Sequence, residues 1–106
     1  MSIKNCLLLI MKTFTHTYNN KFDTSGFKQV KIITFHGLTF ESRSNFSLFY
    51  NKNEHRLVYE VYNEHENIYE YTEMYFENNK MEKKYLGEYK GESIFSLKTN
   101  IVELWN

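Results

Sequence analysis

Residues 68–89 read IYEYTEMYFENNKMEKKYLGEY. Polar and apolar side chains alternate through most of this stretch, as in β-strands with two different faces, and the central Asn78-Asn79 is typical of a two-residue hairpin turn. The stretch therefore predicts a tight antiparallel hairpin and no helix across residues 72–84. Pairing outward from the turn matches opposite charges and apolar side chains: Glu77 with Lys80, Phe76 with Met81, Glu73 with Lys84, and Tyr71 with Leu86.

A second hairpin is predicted around His36-Gly37. Glycine suits a turn position that needs a positive φ, and one face of the resulting strand pair is apolar. We expect this hairpin to span residues 29–43, followed by a strand over residues 45–50. The predicted partners are Phe35 with Leu38, Thr34 with Thr39, Ile33 with Phe40, and Ile32 with Glu41, and we expect Phe35, Ile33, Leu38 and Phe40 to be buried together on one side of a sheet.

The loop of residues 63–67 is expected to close a third hairpin. Symmetric closure sets Glu60 opposite Glu70 on the inner side of the sheet. Ionised carboxylates that face each other destabilise a strand pair, so this register is either wrong by one residue or locally functional. The same register puts Val58 and Tyr62 on the core face, and Tyr59 and Val61 on the outer face.

The two ends of the chain complete the predicted fold. A first strand is expected within residues 3–14, which include Cys6 as a small buried hydrophobe, and a polar loop is expected over residues 15–27. Residues 92–98 and 101–105 are expected to supply one or two closing strands, and a short helix over the last six residues is the alternative.

Together these segments predict one mainly β domain over residues 1–106. We expect an antiparallel meander of about six to eight strands, forming a small barrel or a strongly bent sheet with at most one short helix. A chain of 106 residues can bury about two-thirds of the surface that its unfolded form exposes, so it can fold without disulfides.

The composition limits where the protein acts. It contains one cysteine, no proline and no alanine, and its net charge is zero. The apolar run at residues 6–11 is too short for a signal peptide or a membrane span, which predicts a cytoplasmic protein with no membrane contact. Residues 1–57 carry eight Lys or Arg and three acidic residues, whereas residues 58–106 carry five Lys and ten Glu. This asymmetry suits a charged partner, although it is also typical of a solvated surface whose halves interleave.

Sequence motifs for catalysis or metal binding are missing. The chain has no nucleophile elbow, phosphate-binding loop or dinucleotide fingerprint, and its four histidines lack metal-ligand spacing. We therefore expect no catalytic residues, no cofactor and no metal. Direct binding of nucleic acid is not expected either, because the basic residues of the first half are scattered and form no stripe with stacking aromatics.

The strongest functional signal is the alternation of tyrosine with glutamate on the predicted outer face. Tyrosine supplies rigid, amphipathic contact area, as in protein interfaces. We expect this face to bind a protein partner with a basic surface; coverage by the N-terminal segment, homodimerisation or a merely solvated surface are alternatives. Small size and the composition of an AT-rich genome are typical of a phage or mobile-element protein that inhibits a host enzyme. The predicted contact residues are Tyr59, Tyr69, Tyr71, Glu73, Tyr75 and Glu77.

A second hypothesis places function on the inner face. Glu60 and Glu70, with Tyr62 and Tyr85 on the same predicted face, form a candidate pocket for a small ligand or a small enzyme site. Two neighbouring carboxylates can serve as a general acid and a general base. A cavity on the inner face favours this hypothesis, whereas exposed outer tyrosines favour the protein-binding one.

Overall fold

The structure, a computed structural model, describes residues 18–105, with side chains from Asn20 onward. Within this range the chain is mainly antiparallel β-structure, which confirms the predicted fold class. The elements in chain order are β1 (Tyr18–Asp23), β2 (Phe27–Val30), β3 (Ile32–Phe35), β4 (Leu38–Glu41), β5 (Phe46–Asn51), β6 (Arg56–Asn63), β7 (Ile68–Glu77), β8 (Lys80–Lys90), a 3-10 helix (Ile94–Ser96) and β9 (Ile101–Trp105).

Seven strands form one bent sheet in the order β1-β9-β8-β7-β6-β5-β2. Strands β5 to β9 are a meander of consecutive neighbours, and the sheet curls into a half-barrel. Its edge strands, β1 and β2, are consecutive in the chain and joined by a turn at residues 24–26. The curl brings these edges together, so that the ring centroids of Phe22 and Phe27 lie 5.3 Å apart.

The inner face of the half-barrel holds the larger hydrophobic cluster. Strands β1 and β6 to β9 each contribute a buried side chain, and Ile94 of the 3-10 helix closes the cluster from the open side. Phe95 packs at its margin against Phe22, Phe27 and Tyr71. The buried members are Phe22, Val58, Tyr71, Leu86, Ile94, Val102 and Leu104.

The outer face carries a second cluster, because the β3–β4 hairpin folds over it as a separate two-stranded sheet. Phe35 of the hairpin packs there with Leu48, Leu57 and Met74. Where the hairpin covers it, the sheet is therefore buried on both faces. Leu57 and Val58 are consecutive and both 0% exposed, yet they belong to opposite clusters.

The two predicted tight turns are confirmed. His36 and Gly37 have φ of 51° and 78°, and Asn78 and Asn79 have φ of 52° and 61°, as a type I′ hairpin turn requires at both central positions. The four predicted partner pairs around His36-Gly37 are all present. Around Asn78-Asn79 the pairs to Lys80, Met81 and Lys84 are present, and residues 72–84 contain no helix.

The second hairpin is shorter than predicted. It spans Ile32 to Glu41, because residues 27–30 form β2 and pair with β5 instead. Its apolar face is also only partly covered, since Leu38 is 50% exposed while Phe35 is buried. Ile33 and Phe40 are partly buried against the same cluster as Phe35, so Leu38 is the residue of the predicted apolar face that is exposed.

For the ends of the chain, the prediction of a loop over residues 15–27 is wrong, and the prediction of one or two closing strands is confirmed for one strand. The loop expected over residues 15–27 contains β1, whose Phe22 is buried and whose backbone pairs with β9. Residues 92–98 form no strand; they carry the 3-10 helix, whereas residues 101–105 form β9 and not a helix. The strand expected within residues 3–14, with Cys6, lies outside the described residues. In the described part of the chain, no helix has the length and hydrophobicity to cross a membrane.

Candidate functional site

Strands β6 and β7 pair one residue away from the predicted register, and this separates residues that were expected to form one site. Glu60 pairs with Tyr71, and Glu70 pairs with Val61, so the expected Glu60–Glu70 pair does not form. Across the next strand Tyr71 pairs with Gly87 while Thr72 pairs with Tyr85, so Leu86 is an extra residue in a β-bulge. The predicted pairing of Tyr71 with Leu86 is therefore wrong.

Most of the predicted contact face is not available to a partner. Tyr71 is 0% exposed in the inner cluster, so the expectation that it is an exposed anchor is wrong. Tyr69 is half-buried beside the same cluster, and Tyr59 packs in the outer cluster with its ring stacked on Phe46. Tyr75 is exposed at the far end of β7, as is Glu77.

Glu73 is engaged within the monomer. Its carboxylate accepts two hydrogen bonds of 2.8 Å, from Nε and Nη2 of Arg56, and its side chain is 14% exposed. The Arg56 guanidinium also lies over the rings of Phe22 and Phe27, at 5.4 and 5.5 Å from their centroids. Hydrogen bonding to Glu73 raises the pKa of Arg56, and the ion pair joins β6 to β7.

The four residues of the alternative pocket are also separated. Glu60 faces inward and is buried, and the rings of Tyr62 and Tyr69 lie 4.5 Å apart on the same face. Glu70 and Tyr85 instead lie on the outer face, because the corrected register reverses the side of Glu70 relative to Glu60. The inner face thus retains one of the two expected carboxylates.

Glu60 is the centre of a buried polar network. The Tyr71 hydroxyl donates to Glu60 Oε2 at 2.8 Å, and the Ser93 hydroxyl donates to the same oxygen. The Ile94 backbone N–H in turn donates to the Tyr71 hydroxyl at 2.9 Å. The network therefore ties the 3-10 helix to the sheet. Sequence reasoning missed Ser93, although a serine just before an apolar pair is a typical cap of a helical turn, and Ser93 caps this one.

The buried phenol makes stability sensitive to alkaline pH. Burial raises the pKa of Tyr71 above its usual range, and the Glu60 charge raises it further. An unfolded tyrosine ionises near pH 10, so the unfolded state loses this proton first. We expect the contribution of the Tyr71 phenol to the free energy of unfolding to be complete below about pH 10 and to fall as the pH rises above it. Denaturant titrations at pH values across this range give the free energy of unfolding, and tyrosinate absorbance reports the ionisation of the tyrosines. The free energy of unfolding should decline less steeply with pH for Tyr71→Phe than for the wild type. An identical decline in both would show that the Tyr71 phenol is not the group responsible.

A cleft of about 230 Å³ opens beside the network. Phe49 and Phe95, whose rings stack at 3.8 Å, line the cleft together with the Glu60 carboxylate and with hydroxyl and amide side chains. Its lining residues are Gln29, Ser47, Phe49, Glu60, Ser93, Phe95 and Ser96.

The outer face presents a different feature, an uncompensated pair of carboxylates. Glu70 and Glu88 are direct cross-strand partners, and among residues 20–105 no cation lies within ion-pair distance of either. Tyr85 is on the same face and 45% exposed. Partial burial, together with the charges of Glu70 and Glu88, raises its pKa to about 12.

A depression of about 810 Å³ adjoins this pair. Glu70 forms part of its wall, and the loop after β6 contributes Glu64 and His65. The described residues include no group of three His, Cys, Asp or Glu side chains placed to hold a metal ion. No family model, curated protein or solved structure matches the chain significantly.

Proposed function

We propose that this chain is a non-catalytic binding module whose outer face contacts a basic surface of another protein. The proposed contact area, here called the acidic surface, consists of Glu64, Glu70, Tyr85 and Glu88. The observation that carries the proposal is the direct opposition of Glu70 and Glu88 in the β7–β8 register.

The Glu70–Glu88 pair lowers the stability of the isolated monomer. Like charges directly opposite in a sheet destabilise it by roughly 0.2–1 kcal/mol. The two other pairs of charged residues between β7 and β8 match opposite charges, since Glu73 faces Lys84 and Glu77 faces Lys80. A lysine or arginine from a partner, placed between Glu70 and Glu88, would turn this repulsion into attraction.

The shape and the aromatic content of the acidic surface support the same proposal. Tyr85 offers a rigid, half-exposed ring beside the carboxylates, and tyrosine is enriched among residues that dominate binding energy. The adjoining depression, walled by Glu64 and Glu70, offers space for side chains of the partner. Glutamates held in this way can stand in for phosphates, so an enzyme that normally holds nucleic acid is a suitable basic partner, and the chain would act as its inhibitor.

Charge reversal at Glu88 should change the stability of the monomer and its affinity for the partner in opposite directions. We expect Glu88→Lys to stabilise the monomer by about 0.2–1 kcal/mol, because it creates an opposite-charge pair with Glu70. The same change should weaken partner binding about tenfold or more and reduce its salt dependence, since complementary charge governs encounter and specificity. The partner would first be captured from an extract of the source cells with the wild-type protein, and its affinity for each variant then measured at two salt concentrations.

Glu82→Lys is the matched control. Glu82 is exposed on the same strand, and the change in net charge is identical, but the residue lies toward the Asn78-Asn79 turn and away from the acidic surface. Its affinity for the partner should stay close to that of the wild type. Equal loss of affinity in both variants, or no loss in Glu88→Lys, would overturn the proposed function.

A further inference from the structure

We propose that the cleft beside Glu60 is a binding site for a small organic cation, such as a primary ammonium or a guanidinium group. This site lies on the inner face and is separate from the acidic surface.

The two oxygens of Glu60 have different surroundings. Both hydrogen bonds that its carboxylate accepts, from Tyr71 and from Ser93, end on Oε2. Oε1 accepts none. Glu60 is 8% exposed, and its side chain lines the cleft. The network thus holds the carboxylate rigidly by one oxygen and leaves the other free to accept a bond from a ligand.

The walls of the cleft are chemically suited to a cation. Phe49 and Phe95, whose rings stack on each other at 3.8 Å, line the cleft, and aromatic rings can attract cations when water is excluded. Ser47, the cross-strand partner of Glu60, adds a hydroxyl that can accept a further hydrogen bond. Both ion pairs of the described chain involve Arg56, so no cation of residues 20–105 already neutralises Glu60.

The volume limits the size of the ligand. Sites for drug-sized molecules enclose roughly 300–1,000 Å³, whereas this cleft encloses about 230 Å³. It can therefore hold one charged head group with a short alkyl chain. A carboxylate flanked by aromatic rings selects for positive charge over a neutral group of equal size, because charge-assisted hydrogen bonds are about twice as strong as neutral ones.

The test uses the full chain and n-butylammonium, with 1-butanol as the neutral probe of equal size. Each is titrated while the backbone amide signals of Ser47 and residues 93–96 are followed by nuclear magnetic resonance. We expect saturable shifts with butylammonium and none with butanol. Glu60→Gln should weaken butylammonium binding about tenfold or more, because glutamine can still accept hydrogen bonds from Tyr71 and Ser93 but carries no charge.

Two further variants test whether binding depends on the cleft itself and not on the net charge of the protein. Glu41→Gln removes the same charge from the exposed β3–β4 hairpin and should bind butylammonium as the wild type does. Gln29→Arg changes an exposed residue at the rim of the cleft; the new guanidinium should occupy the site and block butylammonium even if Glu60→Gln fails to fold. Equal shifts with butanol, or unchanged binding in Gln29→Arg, would overturn the proposal.

A last titration identifies the source of the cation. A free small molecule and the basic side chain of a protein present the same head group, but the side chain carries its main chain with it. N-acetyl-lysine methylamide should bind at least as well as butylammonium if the cleft receives a protein side chain. It should bind more weakly if the cleft is shaped for a free amine.

Discussion

Tyr71→Ala is expected to lower the free energy of unfolding by about 3–5 kcal/mol, the range for removing a large aromatic side chain from a packed core. Tyr71 is fully buried in the inner cluster, with its ring centroid 5.8 Å from that of Phe95. The substitution empties this volume. It also removes the hydroxyl that joins Glu60 to the backbone N–H of Ile94.

Tyr71→Phe separates these two contributions. It keeps the ring but leaves the buried Ile94 N–H without its acceptor, which should cost about 1–3 kcal/mol. Tyr75→Ala is the control, because Tyr75 lies on the same strand but is exposed, and its effect should stay within about 0.5 kcal/mol. Urea denaturation midpoints measure all three. Similar midpoints for Tyr71→Ala and Tyr75→Ala would show that Tyr71 does not anchor the core.

Gly87→Ala is expected to cost roughly 2–6 kcal/mol, the sum of backbone strain and overpacking. Gly87 has a φ of 132°, and an added Cβ would lie 2.5 Å from the Trp105 carbonyl oxygen and 2.9 Å from Leu104 Cβ. That oxygen belongs to the backbone of β9, which pairs with β8 through Glu88 and Trp105. Relieving the clash would therefore move β9 away from the sheet.

Gly91→Ala isolates the effect of this close approach. Gly91 also has a positive φ, 101°, but an added Cβ would meet no atom within 4 Å. Its cost should be that of strain alone, roughly 1–3 kcal/mol. Thermal or urea unfolding of both variants provides the comparison. An equal loss of stability in the two would mean that the contact between β8 and β9 is not tight.

The two hairpins with tight turns were predictable because residues close in sequence determine both the turn and the pairing of the strands. His36-Gly37 and Asn78-Asn79 are each flanked by side chains that match across the turn, and the turn chemistry admits the positive φ that a type I′ turn needs. Each pair of partners is close in sequence, and a shift by one residue around Asn78-Asn79 would set Phe76 opposite Lys80 or Glu82 instead of Met81. The β6–β7 hairpin lacked such a turn, and its register was wrong by one residue.

The candidate sites were predictable only in part. Glu60 was expected on the inner face and lies there, but Glu70 lies on the outer face opposite Glu88. Pairing by β-strand alternation cannot anticipate the bulge at Leu86, which shifts every later residue of β8 against β7. Ser93 joins Glu60 across 33 positions of sequence, a contact for which no local pattern exists.

By itself the sequence determined the class of structure and the position of its tight turns, since alternation and turn chemistry act over a few residues. Which face of each strand is buried was decided only by the tertiary structure. Alternation tells the two faces apart but does not say what covers them, and here Leu57 and Val58 are both fully buried on opposite sides. The curl that joins the sheet edges at Phe22 and Phe27 covers one side, and the β3–β4 hairpin covers the other. Tyr71 became a core residue for the same reason, because the inner face on which it lies is enclosed by strands that are distant in the chain.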